Sequence, residues 1–445
     1  MKVFKFGGAS VNSIDRIKNT AEIIRRYENE KLVVIISAMG KTTNALEKVA
    51  EAFFAGKKEE ALQLFEGIKK QHITTAKYLL VTHFNDCIAQ LSSFFTEVEW
   101  LLHDKPVRDY DYYYDQIVCI GELLSTCILS HYLNEVEIKN TWLDVRDIIR
   151  TDNNFRDAVI DWKVTAEKMQ TMVNSRLSMA EVAVSNNMND FEDKTMDNGL
   201  SSIDILLTQG FIGSTDENES TTLGREGSDF TAAIFANLLN AESQTIWKDV
   251  EGVMNADPKQ FSEAQLMKEL SFDEVIEMAY YGAQVIHPKT IKPLQNKGIP
   301  LHVKCFLDAS LPGTVIYKKQ IKHLPPIIII KEKQALMHLR SKDFSFVGEK
   351  PMSELYKIFG EIKIKPNLIQ TGAISVQIYL DDKSDKIEQL AIAAGEIFDV
   401  QVEKDLSLLT IRHFTNELLE KMIAGKTVLL KQQTEETVQV LYRES

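Results

Sequence analysis

What the 445-residue chain lacks narrows its class before any motif is sought. Its four cysteines, Cys87, Cys119, Cys127 and Cys305, include no C-x-x-C pair. That spacing speaks against a disulfide framework or a zinc site and fits reduced, buried thiols, so protein metal ligands are not expected. No run of about 18 apolar residues offers a membrane span. Gly7-Gly8 cuts the first apolar stretch short, so a secretory leader is not expected either. Positive charge is not in excess: 51 Lys and Arg against 64 Asp and Glu leave a formal net charge of -13. A general nucleic-acid surface needs local positive charge, so the expectation is a cytoplasmic protein with neither nucleic acid nor membrane as partner. Two nucleotide signatures are missing as well. A Walker A loop ending in Gly40-Lys41-Thr42 or Gly425-Lys426-Thr427 would need glycine where Ile35 and Glu420 stand, and no G-x-G-x-x-G occurs.

What is present has the rhythm of an α/β protein. The length predicts two or three domains. Val3-Phe4-Lys5-Phe6 reads as a strand ending in Gly7-Gly8; Ile14, Ile17, Ala21, Ile24 and Tyr27 then recur at helical spacing, and "KLVVIISAMG" is a second strand. Residues from about Asn44 to Val118 read as a helical excursion. "IDILLTQGFIGS", "SQTIWKDV" and "GIPLHVKCF" supply further strands, with helices predicted from Phe230 and around "SFDEVIEMAYYGAQVI". Strands alternating with helices make a largely parallel sheet between helical layers. After "LPGTVI" the texture changes to short β-like and helical stretches, such as "AISVQIYL" and "LSLLTIRH", which predict small α+β modules.

Four stretches carry candidate chemistry, and each has a plain structural reading beside the functional one. Lys5 leaves a strand end with bare glycine backbone behind it, where N–H groups and an ammonium can grip phosphates; it equally suits an edge-strand lysine beside a tight turn. In "TTLGREGSDFTAA", Arg225 offers a planar fork for a carboxylate, yet Ser228 or Asp229 capping a helix at Phe230 accounts for the same pattern. Glu122, flanked by Cys119, Ile120, Leu123 and Leu124, either faces solvent at a helix start or receives a substrate ammonium. In "WKDVEGVMNADPK", Lys248, Asp249 and Lys259 are either a solvated turn or part of a nucleotide loop, with Trp247 and Met254 to pack on a flat ring. His287 reads as structural.

Together these stretches resemble the aspartokinase branch of the amino-acid kinase family. "KFGGAS", "GELLST", "TQGFIGS", "TTLGREGSDFTAA", "WKDVEGVMNADPK" and "GAQVIHPKT" follow the family's motifs in order. The resemblance implies the amino-acid kinase fold over residues 1–318 and a regulatory ACT-like region over 319–445, whose second module, from about Asp405, is shortened. It implies transfer of the ATP γ-phosphoryl group to the β-carboxylate of L-aspartate, giving 4-phospho-L-aspartate for lysine, threonine and methionine synthesis. ATP and aspartate are then the partners, magnesium travels mainly with the nucleotide, and a homodimer or higher homo-oligomer is expected, with an amino-acid effector at the ACT region.

By the same resemblance, Lys5 bridges phosphates, Gly7, Gly8 and Ser10 cradle them, and Asp229 orients Lys5. Ser37, Thr43, Glu122, Arg225 and Ser228 hold the substrate, Glu122 its ammonium and Arg225 a carboxylate. Lys248, Asp249, Met254 and Lys259 are assigned to the nucleotide. The chemistry is compatible: a carboxylate nucleophile with a reference pKa near 4 is already ionised, so no general base is required. Lys248, Met254, Lys259 and Gln284 depart from commoner family residues, and Glu226 replaces a glycine beside Arg225. In the tail, Pro366-Asn367-Leu368-Ile369 and Thr371-Gly372-Ala373 lack two acids found in lysine-sensitive relatives, which makes lysine feedback a separate question. Two alternatives stand beside the main reading: a kinase of another acidic amino acid, and a catalytically silent amino-acid sensor.

Overall fold

The structure, a computed structural model, describes residues 1–173, 205–319, 321 and 323–444. The chain divides into two compact units: Met1–Val253 with Leu266–Ile276 and Val285–Gln320, and Met254–Gln265 with Glu277–Gln284 and Ile321–Ser445.

The first unit is built on an eight-stranded sheet. Its elements are β1 (Lys2–Phe6), α1 (Ile14–Arg25), β2 (Leu32–Ile36), α2 (Thr42–Phe54), α3 (Lys58–Leu79), α4 (Phe84–His103), α5 (Tyr110–Val118), α6 (Ile120–Glu135) and β3 (Thr141–Leu143). They continue with β4 (Ile205–Gln209), the hairpin β5 (Ile212–Ser214) and β6 (Ser220–Thr222), α7 (Gly227–Leu238), β7 (Ser243–Lys248) and β8 (Glu269–Ser271). The last are α8 (Phe272–Tyr281), α9 (Pro288–Lys297), β9 (Leu301–Cys305) and β10 (Thr314–Tyr317). The strand order is β3-β4-β2-β1-β7-β9-β10-β8; only the β9/β10 pairing is antiparallel. The predicted excursion after Asn44 is the helical run α2 to α5. Ile203 and Asp204 of the predicted "IDILLTQGFIGS" strand lie outside the described residues.

Two features explain where ligands can be met. Strand β2 is LVVII with every residue buried, as a strand covered on both faces requires. The chain lays β2 and then β4 on one side of β1 and returns to place β7 on the other side. Such a switch leaves a crevice beyond the carboxyl ends of the strands.

The apolar helix that carries Glu122 runs on directly from the predicted helical excursion. Tyr110–Glu135, comprising α5 and α6, is 26 residues long and by length and composition could cross a membrane, but 89% of its most apolar window is buried. It is a core helix, with α6 enclosed on all its faces from Ile120 to Ser130. The cysteines are all free and buried.

The second unit carries a six-stranded antiparallel sheet. In chain order it runs β11 (Ile327–Ser341), α10 (Glu349–Ile362), β12 (Leu368–Thr371), β13 (Ser375–Asp381), α11 (Ser384–Ala394) and β14 (Phe398–Arg412). Then follow α12 (Asn416–Ile423), β15 (Lys426–Gln433) and β16 (Thr437–Glu444), in the sheet order β12-β13-β11-β14-β16-β15. The stretch from β11 to β14 is one β-α-β-β-α-β repeat, cored by Met337, Leu355, Phe359, Ile378 and Leu390. Beyond it, α12 covers Leu409, Ile411, Val438 and Val440, forming a smaller second core with a single helix among the described residues.

Candidate active site

A cleft of about 470 Å³ opens where β1, β2 and β4 end, and its lining includes Lys5, Gly8, Ser37, Thr43, Glu122, Arg225, Ser228 and Asp229. Three backbone corners make its floor. At the first, β1 leaves Lys5 facing the cleft and turns at Gly7-Gly8. A Cβ on Gly8 would stand 2.6 Å from the Ala38 carbonyl oxygen and 3.0 Å from that of Gly40, so only glycine lets the β1 and β2 corners touch. The Gly40 N–H donates to the Gly8 carbonyl at 3.0 Å across this seam. At the third corner, the Gly210 N–H donates to the Ile36 carbonyl. Its missing side chain admits Ser228, whose Cβ would lie 2.5 Å from a Cβ at 210.

Helix α7 brings the acid. Lys5 Nζ lies 2.7 Å from Asp229 Oδ1, with the two side chains 13% and 5% exposed. The helix starts at Gly227 rather than Phe230, and Glu226 takes the cap position in a left-handed conformation, φ 55°, without a side-chain cap bond. Ser228 and Asp229 are therefore not caps; they lie in the first turn, one packed on Gly210 and the other paired with Lys5. Glu226 is tied elsewhere, its Oε2 accepting the His287 N–H at 2.8 Å. His287 itself caps α9, its Nδ1 accepting the Lys289 N–H, which is the structural role expected of it.

Glu122 is not at the surface. Helix α6 buries it to 2% exposure. Oε1 accepts the Ala38 N–H at 3.3 Å, and Oε2 has no hydrogen-bond partner among the described residues. Burial pushes its carboxyl up to about 8, against the smaller opposing effects of the Ala38 N–H and the Lys5 charge. An unpartnered buried carboxyl oxygen in a cleft awaits a donor, and a cation placed beside it favours the ionised form. Arg225 offers the opposite charge. It is exposed, and its side chain makes no hydrogen bond or ion pair among the described residues.

Several assigned residues are not brought here. Lys248 donates its ammonium to the Val285 carbonyl at 2.6 Å, and Asp249 is exposed. Neither lines the cleft, and Met254 and Lys259 fall in the second unit. Trp247 is not available to a flat ligand: it is 2% exposed and stacked on Phe6 at 5.8 Å. Gly7 lies beside the Lys5 ammonium, 3.4 Å from where its Cβ would be, while Ser10 is buried in the turn after it, its N–H donating to the Gly7 carbonyl.

The structure adds residues that sequence reading passed over. Tyr114, Arg156, Phe211 and Thr222 line the cleft. Behind them the buried Asp115 accepts the Thr222 hydroxyl at 2.7 Å and the N–H groups of Thr222 and Arg156 at 2.8 and 3.0 Å. Burial nevertheless raises its carboxyl to about 6. Arg156 stands over the Tyr114 ring at 4.3 Å and pairs with Asp111 at 3.2 Å. The one available signal was the tyrosine-rich "DYDYYYD", an unusual concentration of rings with an acid embedded.

The sequence model of the amino acid kinase family matches residues 1–305. The chain belongs to the amino acid kinase family. This kinase is similar over most of its length to proteins named aspartokinases. The lysine-sensitive aspartokinase 3 of Escherichia coli (strain K12) is 29% identical over 436 residues, covering 96% of this chain and 89% of that one. The chloroplastic aspartokinase 1 of Arabidopsis thaliana is 31% identical over 393 residues, covering 85% of this chain and 63% of that one. Among solved structures, E. coli aspartokinase III in complex with aspartate and ADP superposes with a TM-score of 0.80 at 26% identity, covering 100% of this kinase and 96% of its own chain.

Proposed function

We propose that this kinase is an aspartate kinase, transferring the ATP γ-phosphoryl group to the β-carboxylate of L-aspartate to give 4-phospho-L-aspartate. The observation that carries the reading is the convergence, in one cleft, of the Lys5–Asp229 pair, the buried and unpartnered Oε2 of Glu122, and the free guanidinium of Arg225. An α-amino acid with an acidic side chain presents an ammonium, an α-carboxylate and a second carboxylate. Glu122 meets the first, Arg225 pairs with the α-carboxylate, and the remaining acid is left to face the cation of Lys5.

Lys5, fixed by Asp229, screens the repulsion between the anionic acceptor and the phosphates, and backbone N–H groups around Gly7 and Gly8 share that task. Ser37, Thr43 and Ser228 fill the wall between these charges. Because the acceptor is ionised at neutral pH, the residues position and neutralise rather than remove a proton.

Of the cleft carboxylates, Asp229 is engaged by Lys5 and Glu226 by the His287 N–H, while Glu122 is assigned to the substrate ammonium. The donor set therefore fits a magnesium ion carried chiefly by phosphate oxygens rather than one held in a protein cage. Bound so, magnesium supplies neutralising charge on the phosphates. Of the residues assigned to the nucleotide, Asp249 is exposed and open to it, whereas Trp247, buried against Phe6, does not pack on its ring. The β-α-β-β-α-β repeat in the second unit supports a regulatory amino-acid-binding role, and a homodimer in the cytoplasm goes with it.

Trapping the acyl phosphate with hydroxylamine tests the reading. Hydroxamate should form from aspartate, ATP and magnesium, and much less from glutamate. Equal or greater yield from glutamate would replace the substrate, and no yield from either would leave a sensor.

A further inference from the structure

Sulfur and imidazole side chains gather on α6 beyond Glu122. Cys87 on α4 and Cys127 on α6 face each other with their Sγ atoms 4.0 Å apart, and both are fully buried. A ring nitrogen of His131, one turn beyond Cys127, joins them, so that the three ligand atoms lie within 4.8 Å of one another. Two thiolates on one tetrahedral metal, each about 2.3 Å from it, stand roughly 3.8 Å apart. The observed sulfur spacing is close to that without any backbone movement.

The surroundings suit a cation. His131 Nε2 lies 3.1 Å from Gln90 Oε1, a partner that takes an N–H and fixes the tautomer; Nδ1 is buried with no partner among the described residues. A ligating imidazole usually has one ring nitrogen held by an oxygen acceptor in this way. Glu135, at the end of α6, accepts the N–H groups of Val81, Thr82 and His83 at 3.2, 3.1 and 3.0 Å, tying the start of α4 to α6. That tie leaves the His83 ring centroid 6.3 Å from that of His131. The three candidate ligands thus come as Cys87 on α4 and Cys127-x-x-x-His131 on α6, the latter pair one helical turn apart. A search for C-x-x-C spacing does not find such a pattern.

We propose that Cys87, Cys127 and His131 bind a single thiophilic divalent cation of the zinc class, with water as the fourth ligand, clamping α4 to α6. The step is coordination without redox change: both thiols release their protons to solvent and the sulfur lone pairs bond to the metal.

The test uses the full chain, reduced and anaerobic, titrated with Co²⁺ as a spectroscopic probe. Sulfur-to-cobalt charge transfer and the intense d–d absorption of a tetrahedral ion should rise to a single equivalent, with proton release, and Zn²⁺ should abolish them. The double substitution Cys87→Ser, Cys127→Ser should remove the bands while aspartate-dependent turnover persists. His131→Gln, at a half-buried ring, should weaken cobalt binding by about tenfold or more, and it carries the comparison should the double variant not fold. No charge-transfer band in the unsubstituted protein, bands surviving in the double variant, or undiminished affinity in His131→Gln would overturn the site.

Discussion

The Lys5 ammonium and Asp229 Oδ1, 2.7 Å apart, join the end of a central strand to the first turn of a helix. Lys5→Ala should lower kcat by roughly a hundredfold or more, the loss expected when a preorganised charge at the reacting centre is removed. Asp229→Asn keeps the cation but loosens its aim, so a smaller fall, about tenfold, is expected. Hydroxamate formation at saturating substrate measures both; a Lys5→Ala protein as fast as its parent would end the assignment.

Gly8 predicts a steric effect. A methyl group there meets the Ala38 carbonyl oxygen at 2.6 Å, which is backbone and cannot swing away. Gly8→Ala should destabilise by about 1–3 kcal/mol as the two corners separate, and should raise KM for ATP. Thermal melts and initial rates check the pair of effects. A melt unchanged from the parent would mean the seam is slack.

Glu122 predicts a pH dependence. Its folded-state value of about 8 lies above the ordinary 4.5, so the folded protein binds the proton more tightly than the unfolded chain does. Stability contributed by this group is therefore complete below about 4.5 and is lost as pH rises toward 8. Glu122→Gln, a neutral isostere, should flatten that decline in melts without substrate, and should raise KM for aspartate at least about tenfold. Melts that decline as steeply in the variant would refute the titration.

Arg225 predicts the opposite pattern of cost. Exposed and without a partner among the described residues, it can be changed with little effect on the fold. Arg225→Ala should leave the melting temperature nearly unchanged and raise KM for aspartate by about ten- to a hundredfold, the worth of a charged hydrogen bond. Unaltered KM would move the carboxylate contact elsewhere, with Arg156 the next residue to test.

Local signals were legible where chemistry and backbone coincide. Gly7-Gly8 after an apolar strand announced a corner, and Lys5 before it an anion site; both rest on adjacency along the chain. Glu122 was harder, since an acid in an apolar helix is usually solvated, and only tertiary packing reveals that α6 is enclosed. Arg156 and Asp115 were invisible because their partners, Tyr114 and Thr222, come from distant segments. The end of β7 was legible only in part. "WKDV" pairs a ring and a cation beside a strand end, yet the ring is spent on Phe6 and the cation on the Val285 carbonyl. The start of α7 was misplaced by three residues because the left-handed turn at Glu226 replaces a side-chain cap.

The enclosure of α6 makes the position of one carboxylate a property of the interior. A helix walled in on every side cannot tilt to welcome an acceptor longer by one methylene, so in the proposed role of Glu122 the chain measures its substrate with a fixed post. Selection for a longer acid should accordingly yield changes beneath that post, at Leu124 or Ile128, before it yields them at the surface a ligand touches.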